Sequence, residues 1–574
     1  MRMDGMDLAG SLAQGTGGPA MALTVLKAEA ALARAQCPVF QAQWRALLHH
    51  CPWAGACQHP DFVLPWYRRY LPGILPVLVL ALGPDGSLSG LLALARRHGS
   101  RTLTAAGEHQ AEYQAWLAAP GAGDGFILAA VRALRQAFPG TDLVLRYLPP
   151  GIPLGWIERL GRERALVTLR RHLRPVMQVD AAAMARQRNK KNHRQNFNRL
   201  SRMGEVRFER VHEHEHFVRL FDTLCMQYDF RQAALYRQMP FCADPAKKDF
   251  HLDLHRQGLL HVTVLTVGAD IAASHLGLLS EGRALHIGIL THNPAYAVHS
   301  PGNLLLAMLG VQLAQEGVPM LDLTPGGDAY KEHFATGHDA VHELTIHAGA
   351  ARRVGGRAGA ALRRTAKRVL QAAGLRSAGL AATLDALRRG GPRAWLERLD
   401  RRARPCSLRY QGQLGAGAGA GLALARNRLD DVFRFDEGGA ATDRWAFMGT
   451  VMRRMERAHD LYTLVRDGRL ALCCWVQACP GGAPAASEDG APPRDLLVLS
   501  GLVAHPRHAD GALLRAFLAQ LLAQLAQDRP GAAVVYRGRL DPALRRALEG
   551  CGFVADGLEE RAAQDIVTTA KEPK

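Results

Sequence analysis

Three apolar segments follow one another in the middle of the chain with only short turn sequences between them. The links at 268–270 and 281–283 each contain a glycine and are typical of β-hairpins. A helix is predicted on either side, at 217–228 and 304–315, so the pattern indicates a mixed α/β fold. The three predicted strands are residues 259–267, 271–279 and 284–290.

The rest of the chain divides by pattern and composition. Its 574 residues suggest three or four domains, at about 150 residues per domain. An acidic stretch rich in Pro and Gly, at 480–493, is predicted to be a disordered loop. We predict a flexible tail at 1–22, an α/β domain at 37–180, a second at 186–345, a basic helical connector with a Gly/Ala linker at 350–421, and a third α/β domain at 422–565.

The positive charge is concentrated in two tracts. The chain has 71 Lys and Arg against 52 Asp and Glu, a net charge of +19. Residues 186–210 hold nine basic and two acidic residues, and residues 352–409 hold sixteen and three. The remainder is therefore near neutral, which disfavours a long nucleic acid as partner. A phosphate-bearing cofactor, an anionic acceptor or an anionic membrane surface fits such local charge better.

Targeting signals and metal-ligand patterns are not evident. No apolar run reaches the roughly 18 residues of a transmembrane helix, and the first 20 residues do not read as a signal peptide. The ten cysteines are scattered, without the spacing of a zinc site. We expect a cytoplasmic protein with reduced thiols and no metal. The alternative location is the inner face of the membrane, with which the protein would associate peripherally.

A specific order of elements carries a family resemblance. A basic helix at 190–200 precedes the three strands, and two motifs follow about 25 residues apart. This order resembles the GNAT-fold acyltransferases of the CelD/BcsL type, which are relatives of the FemAB aminoacyl transferases. The motifs are Ser300-Pro301-Gly302-Asn303-Leu304-Leu305 and Gly327-x-x-Tyr330-Lys331-x-x-Phe334.

The resemblance implies tandem GNAT-like domains with mixed, mostly antiparallel sheets flanked by helices. Residues 37–180 would then be a degenerate copy of the domain at 186–345. The implied activity is transfer of an acyl group from acetyl-CoA or another acyl-CoA to an amine or hydroxyl. A small molecule or a glycan precursor would be the acceptor, since such proteins are often linked with surface polysaccharide or envelope assembly.

The last domain resembles a plainer GNAT unit. Residues 496–503 would be its central strand, 505–511 its phosphate loop and 513–526 the following helix. The segment 543–553 looks like the terminal helix-to-strand element. The usual Arg/Gln-x-x-Gly-x-Gly/Ala loop is not reproduced in 506–511, which puts cofactor binding by this domain in doubt.

Five residues are candidates for holding the cofactor. A helix N-terminus suits a pyrophosphate because its first N–H groups are unpaired and its dipole is positive there. Ser300 or Asn303 could cap the predicted helix near Leu304, and Gly302 would let a phosphate approach closely. Lys331 could pair with a phosphate or an acceptor carboxylate. The alternatives are an ordinary helix cap and a solvated lysine.

Acyl transfer also needs a proton acceptor and donors for the developing oxyanion. The resemblance places the oxyanion donor among the backbone N–H groups of 286–290. His275, His286, His292 and Asp322 are candidate bases, and Tyr330 joins the catalytic set as part of the second motif. The alternatives are core histidines with satisfied partners, and an Asp322 that accepts from Tyr330 or Lys331.

Two other functions compete with acyl-CoA-dependent transfer. The basic tracts would also suit a FemAB-like transferase that uses aminoacyl-tRNA, although aromatic residues for stacking are sparse nearby. A non-catalytic GNAT-like scaffold in an envelope-assembly complex is the other alternative, with Arg-rich helices on an anionic membrane.

Overall fold

The computed structural model divides into two compact units. Unit 1 comprises Met1–Cys225, Phe241–Thr291 and Pro301–Val369, and unit 2 comprises Met226–Pro240, His292–Ser300 and Leu370–Lys574. The predicted tail, connector and acidic loop lie largely outside the described residues. The structure describes residues 22–280, 282–355, 365, 406–410, 421–437, 443–480, 495–508, 510–538 and 540–555.

The helices and strands up to residue 346 alternate as the sequence predicts. The strands are β1 (Ala22–Lys27), β2 (Ile74–Leu82), β3 (Leu88–Arg97), β4 (Thr102–Ala105), β5 (Leu117–Ala118), β6 (Asp142–Leu148), β7 (Val167–Gln178), β8 (Val206–Val211), β9 (Leu260–Val267), β10 (Asp270–Ser280), β11 (Ala284–His292), β12 (Met320–Asp322) and β13 (Gly337–Ile346). The helices are α1 (Ala28–Gln36), α2 (Pro38–His50), α3 (Pro60–Tyr70), α4 (Gly123–Ala137), α5 (Ala181–Arg188), α6 (Lys191–Ser201), α7 (His214–Tyr236), α8 (Pro240–Ala243), α9 (Pro245–Arg256), α10 (Pro301–Gln315) and α11 (Ala329–Phe334).

The predicted run of three strands is confirmed as β9, β10 and β11. β9 and β10 pair antiparallel with Val267 opposite Asp270, so their turn holds only two residues. Gly268, in that turn, has a φ of +59°, a conformation that costs glycine little. β8, β9, β10 and β11 are successive neighbours at one side of the sheet.

The sheet of unit 1 has a first half, built by β1–β6, and a second half, built by β8–β12. The remaining two strands, β7 and β13, are exchanged between these halves. The order is β1-β2-β3-β4-β6-β13-β7-β12-β11-β10-β9-β8, and β5 pairs with β3. β7 follows β6 in the chain but pairs with β12, whereas β13 follows β12 but pairs with β6. β7 and β13 pair antiparallel with each other, from Gly337 opposite Val176 to Ile346 opposite Val167. Each half of the sheet is therefore completed by a strand from the other.

The exchanged strands also contribute to the core of the opposite half. β13 buries Leu344 and Ile346 in the cluster that contains Trp116 and Phe126 of the first half. β7 buries Met177 in the cluster that contains Leu306 and Leu321 of the second half. A fully buried aliphatic side chain stabilises a fold by about 1.5–3 kcal/mol. The exchange thus couples the stability of the two halves.

Unit 2 has a smaller sheet with its own core. Its strand order is β15-β16-β17-β18-β19-β14-β20. Phe517 packs with Tyr462 and Val534 in one cluster, while Phe230 packs with Met448 in another. Its elements are β14 (Cys406–Tyr410), β15 (Ala425–Arg426), α12 (Leu429–Phe433), α13 (Arg444–Met455), β16 (His459–Arg466), β17 (Arg469–Cys479), β18 (Leu496–Ala504), α14 (Gly511–Asp528), β19 (Ala533–Gly538), α15 (Pro542–Glu549) and β20 (Phe553–Ala555).

Both units have mixed sheets flanked by helices, so the predicted α/β class is confirmed. Within the part of the chain that is described, no helix has both the length and the apolar character needed to cross a bilayer.

One buried histidine of unit 1 predicts a pH-dependent stability. His275, on β10, is fully buried. Burial, and then the charges of His261 and Arg210, hold the pKa of His275 well below its usual value. The unfolded chain, with an ordinary histidine pKa of about 6.5, binds a proton that the folded state rejects. Unit 1 should therefore lose stability as the pH falls below about 6.5.

The His275→Leu variant should flatten this dependence. Between pH 7 and pH 5 the wild type should lose up to about 2 kcal/mol more unfolding free energy than the variant. Urea denaturation at each pH, monitored through hydrogen–deuterium exchange in β9 and β10, measures this unfolding free energy. His98→Leu, at an exposed position, is the control and should keep the wild-type slope. Equal slopes for all three proteins would contradict the prediction.

Candidate functional site

β11 and β12 run parallel but part after two paired positions. Leu285 lies opposite Leu321 and His286 opposite Asp322, the last residue of β12. β11 continues to His292. Gly288 kinks it there with a φ of +50°, and an added Cβ would lie only 2.3 Å from the Leu276 carbonyl oxygen. Residues 288–290 are exposed or half-buried, so this part of β11 is accessible just beyond the paired residues.

His286 lies at the base of this divergence between two polar side chains. Its Nδ1 is 3.0 Å from Asp322 Oδ2, and its Nε2 is 3.1 Å from Ser280 Oγ. These partners assign the ring proton to Nδ1, which donates to the carboxylate. Nε2 then accepts a hydrogen bond from the Ser280 hydroxyl. The ring of Tyr113 packs against His286, with 4.9 Å between centroids.

Arg174 and a backbone amide hold Asp322 in place. Arg174 donates through Nη1 to Asp322 Oδ2 at 2.9 Å, and Thr324 N–H donates to Oδ1 at 2.8 Å. Burial alone raises the pKa of Asp322, but the hydrogen bond from His286 and the charge of Arg174 outweigh it, so the pKa is lowered. Asp322 is therefore ionised at neutral pH, and the predicted acceptance from Lys331 is replaced by these donors.

Arg174 also pairs with a second carboxylate. Its Nε donates to Asp339 at 2.7 Å, and its Nη2 donates to the other oxygen of the same side chain. Asp339 lies on β13 directly opposite Arg174 on β7. The pair of exchanged strands thus carries the cation that orients Asp322.

A loop of the first half lies beside this network. Gln114 anchors it, since its side-chain oxygen accepts from Arg146 N–H at 2.8 Å. Burial and then the nearby Asp322 charge raise the pKa of the Tyr113 hydroxyl. Glu112 is half-buried, and burial raises its pKa against the opposing charges of Arg146 and Lys331. A partly exposed carboxylate of this kind is a candidate general base.

Lys331 is turned back into the protein. Its Nζ donates to Thr324 Oγ1 at 3.1 Å and to the Thr324 and Pro325 carbonyl oxygens at 3.3 and 3.4 Å. Burial lowers its pKa, and Asp328, 3.7 Å away, opposes that shift. Lys331 thus fixes the loop between β12 and α11, and its pairing with a phosphate or a carboxylate stays a prediction.

The other predicted bases occupy different surroundings. Neither ring nitrogen of His275 has a hydrogen-bond partner among the described residues. His275 is therefore not linked to Ser280, His286 or Asp322 by a hydrogen bond. The nearby Ile287 backbone only partly offsets its lowered pKa. His292 belongs to unit 2, where burial and then Arg231 lower its pKa to about 4. Tyr330 packs half-buried against the second-half core.

The other four predicted cofactor residues lie at or directly before the start of α10. Pro301 is the first residue of the helix, a position that proline favours. Ser300 precedes it with a left-handed φ of +48° and belongs to unit 2. Gly302 and Asn303 are half-buried, whereas the Leu304 side chain is in the core. Leu304 could therefore serve a ligand only through its backbone.

Unit 2 has a similar divergence of two parallel strands, but the N-terminus of the helix that follows is capped differently. β18 and β19 pair in parallel up to Ser500 opposite Arg537, and Gly501 then has a φ of +57°. The Asp510 carboxylate caps α14 by accepting from Leu513 N–H at 2.7 Å. A fixed negative charge there opposes a pyrophosphate, unlike the uncharged start of α10.

Comparison with known proteins identifies a GNAT domain in this region. Residues 187–332, roughly a quarter of the chain, match the family described as Acetyltransferase (GNAT) domain. They contain Ser280, His286, Asp322 and the start of α10. The predicted GNAT-like α/β fold is thereby confirmed. No curated protein matches the chain significantly.

Several solved structures resemble the chain at low identity. FemX shares 9% identity, covering 54% of this chain and 96% of its own, with a TM-score of 0.39. L-PGS from Bacillus licheniformis shares 11% over 54% and 91%, with a TM-score of 0.35. A tandem GNAT protein from the clavulanic acid biosynthesis pathway shares 13% over 57% and 99%, with a TM-score of 0.36. These similarities are too distant to bear on function.

Several residues of the site cannot be predicted from the sequence. Tyr113, Glu112 and Arg174 reach His286 and Asp322 from distant segments, whereas Ser280 lies only six residues before His286, across the turn between β10 and β11. The local sequence carries no motif for Ser280, Tyr113 or Glu112. The one available signal is Arg174, a charge directly before the apolar residues 175–177. In the described residues, no group of three His, Cys, Asp or Glu side chains is arranged to hold a metal.

Arg174 should be essential for the stability of unit 1. The Arg174→Leu variant leaves Asp322 buried and ionised without its cation, which should cost about 3–5 kcal/mol of unfolding free energy. Arg170→Leu is the matched control on the same strand. Arg170 is exposed, 3.9 Å from Glu343, and its loss should cost less than about 1 kcal/mol. Urea denaturation compares them, and similar losses in both variants would refute the role given to Arg174.

Proposed function

We propose that unit 1 is an acyl-CoA-dependent N- or O-acyltransferase of the CelD/BcsL type. The divergence of β11 and β12 directly beyond His286 and Asp322, inside the matched GNAT domain, carries this proposal. It supplies an open strand edge at residues 288–290, next to an ionised carboxylate and a histidine. An extended thioester substrate fits such an edge, because backbone N–H groups there can face its carbonyl oxygen.

The donor would be acetyl-CoA or another acyl-CoA, with its pyrophosphate at the first turn of α10. Gly302, Asn303 and Leu304 provide backbone N–H groups there, and no acidic residue lies in the first turn. Lys331 joins the proposed cofactor set, whereas Ser300, which precedes the helix in sequence and belongs to unit 2, stays a prediction from the sequence. His286 or Glu112 would receive the acceptor's proton, and Asp322 would orient His286. His275 and Tyr330 have no role in this proposal.

The acceptor would be a small molecule or glycan precursor with an amine or hydroxyl group. We place the protein in surface polysaccharide or envelope assembly, in the cytoplasm or peripherally at the inner membrane face. This placement comes from the family resemblance.

One observation favours the alternatives to acyl-CoA chemistry. The surface of α5, α6 and their flanks carries seven exposed Lys and Arg side chains that have no ion-pair partner among the described residues. Such a surface suits an aminoacyl-tRNA in a FemAB-like reaction, or an anionic membrane beneath a non-catalytic scaffold. The seven residues are Arg186, Arg188, Lys190, Lys191, Arg194, Arg199 and Arg202.

Calorimetric titration with acetyl-CoA tests the proposal. The Asn303→Asp variant places a negative charge at the first turn of α10, which stabilises the helix but repels a pyrophosphate. We expect the dissociation constant to rise at least about tenfold, since 1.4 kcal/mol of repulsion suffices for that.

Gln315→Glu adds the same charge at the far end of α10 and is the matched control. It should leave acetyl-CoA affinity within about twofold of the wild type, because the dipole effect is confined to the terminal turns. No binding of acetyl-CoA or longer acyl-CoAs by the folded wild type would refute the proposal. Salt-dependent binding of charged tRNA in preference to uncharged tRNA would favour the FemAB-like alternative.

A further inference from the structure

We infer that the turn between α5 and α6, residues 188–191, binds the 3′-phosphate of the coenzyme. This segment, the basic turn, carries the cations Arg188, Lys190 and Lys191. The inference rests on the proposed function, in which the coenzyme pyrophosphate lies at the first turn of α10. It assigns a partner to the phosphate on the ribose of the coenzyme, which the start of α10 does not bind.

α5 runs back along α10, from the end of that helix toward its start. Just before α5, Val179 N–H donates to the carbonyl oxygen of Pro319, shortly after the end of α10, at 2.8 Å. Five residues later, Met184 lies against the middle of α10, since an added Cβ at Gly310 would be 2.6 Å from Met184 Sδ. Arg188 is one turn further on the same face as Met184, so it lies closer to the start of α10.

α6 packs against α11, on the other side of the basic turn. The His193 ring stacks on Phe334, with 6.2 Å between the centroids and 8° between the planes. It also meets the His333 ring edge-on, at 6.5 Å. His193 Nδ1 is 2.9 Å from the Gln187 carbonyl oxygen, which links α6 to α5. The basic turn therefore joins a helix that lies on α10 to a helix that lies on α11, the two helices that follow the diverging strands.

The distance from the basic turn to the first turn of α10 is short enough for one ligand to reach both. Gly310 is eight residues beyond Gly302, which is about 12 Å along the helix axis. Arg188 is four residues beyond Met184, which covers about 6 Å of that distance. An extended arginine or lysine side chain can span the remainder. The 3′-phosphate is separated from the pyrophosphate by a single ribose, so it falls within this reach.

The charges of the basic turn are not neutralised by neighbouring side chains. Arg188, Lys190 and Lys191 are exposed and have no ion-pair partner among the described residues. No Asp or Glu occurs between Asp180 and Glu205, so neither α5 nor α6 supplies a counter-charge. Lys190 and Lys191 also stand at the start of α6, where positive charge opposes the helix dipole. A phosphomonoester, with a charge of about −1.5 to −2 at pH 7, would offset this repulsion.

Calorimetric titration of the full chain with coenzyme A and with 3′-dephospho-coenzyme A tests this inference, because the two ligands differ only in that phosphate. We expect the wild type to bind coenzyme A at least about tenfold more tightly. The Arg188→Gln/Lys190→Gln variant should reduce this preference to less than about threefold. Its affinity for 3′-dephospho-coenzyme A should stay within about twofold of the wild type, which also shows that the variant is folded.

Arg199→Gln/Arg202→Gln is the matched control, since it removes two exposed charges of the same sign from α6 and its flank. These residues lie at the far end of α6, near Gly204, where an added Cβ would be 2.9 Å from Gly268 N in the β9–β10 turn. The control should keep the wild-type preference for coenzyme A. An equal loss of preference in both variants would indicate a diffuse effect of net charge and would contradict a site at the basic turn.

The outcomes separate this inference from the proposed function. If the wild type binds both ligands with equal affinity, the inference is refuted and the acyl-CoA proposal stands. If the preference for coenzyme A survives in Arg188→Gln/Lys190→Gln, the 3′-phosphate is bound elsewhere, and again only the inference fails. If neither ligand binds to the folded wild type, both proposals fail.

Hydrogen–deuterium exchange gives a second readout. At equal saturation, coenzyme A should slow the exchange of amides in residues 188–194 more than 3′-dephospho-coenzyme A does, because only coenzyme A can contact the basic turn through the 3′-phosphate. Equal protection by the two ligands would contradict the inference. Protection of this segment by tRNA, with none by coenzyme A, would overturn it in favour of the FemAB-like alternative.

Discussion

The pairing of β7 with β13 is the contact on which the rest of unit 1 depends. It joins the two halves of the sheet, and it places Arg174 opposite Asp339 while β12 brings Asp322 to the other side. Removing the Asp322 carboxylate and the Arg174 guanidinium from water is costly, and only close pairing offsets that cost. The strands therefore fix the ion pairs, and the ion pairs in turn fix the carboxylate that orients His286.

Local pattern in the sequence predicts the elements well and the site only in part. The three strands of 259–290, the helix that begins beside Pro301 and the short strand before Thr324 follow from turn residues and apolar periodicity. His286 and Asp322 can be named as candidates because each is polar within an apolar strand. Two of their partners cannot be predicted, because Arg174 lies on an exchanged strand and Tyr113 on a loop of the first half, and neither placement leaves a trace in spacing along the chain. Ser280 lies across the turn from His286, but no local motif marks it.

The two helix starts show how similar local geometry can differ in chemistry. α10 and α14 both follow a strand that leaves its parallel neighbour near a glycine with positive φ. α14 is capped by the carboxylate of Asp510, whereas α10 begins with proline and glycine. A helix N-terminus that already carries a fixed negative charge attracts a phosphate less strongly. Unit 2 thus shares the backbone arrangement while lacking the favourable electrostatics of unit 1.

The strand exchange also sets an order of events during synthesis on the ribosome. The edge of β6 is complete at residue 148, but its partner β13 emerges only from residue 337 onward. Until then the first half carries an uncovered strand edge, and β7 has only part of its final pairing. Contacts between such distant segments slow folding, and an open edge invites pairing with another chain. Nascent chains of this protein should therefore depend on chaperones until the second half has been made.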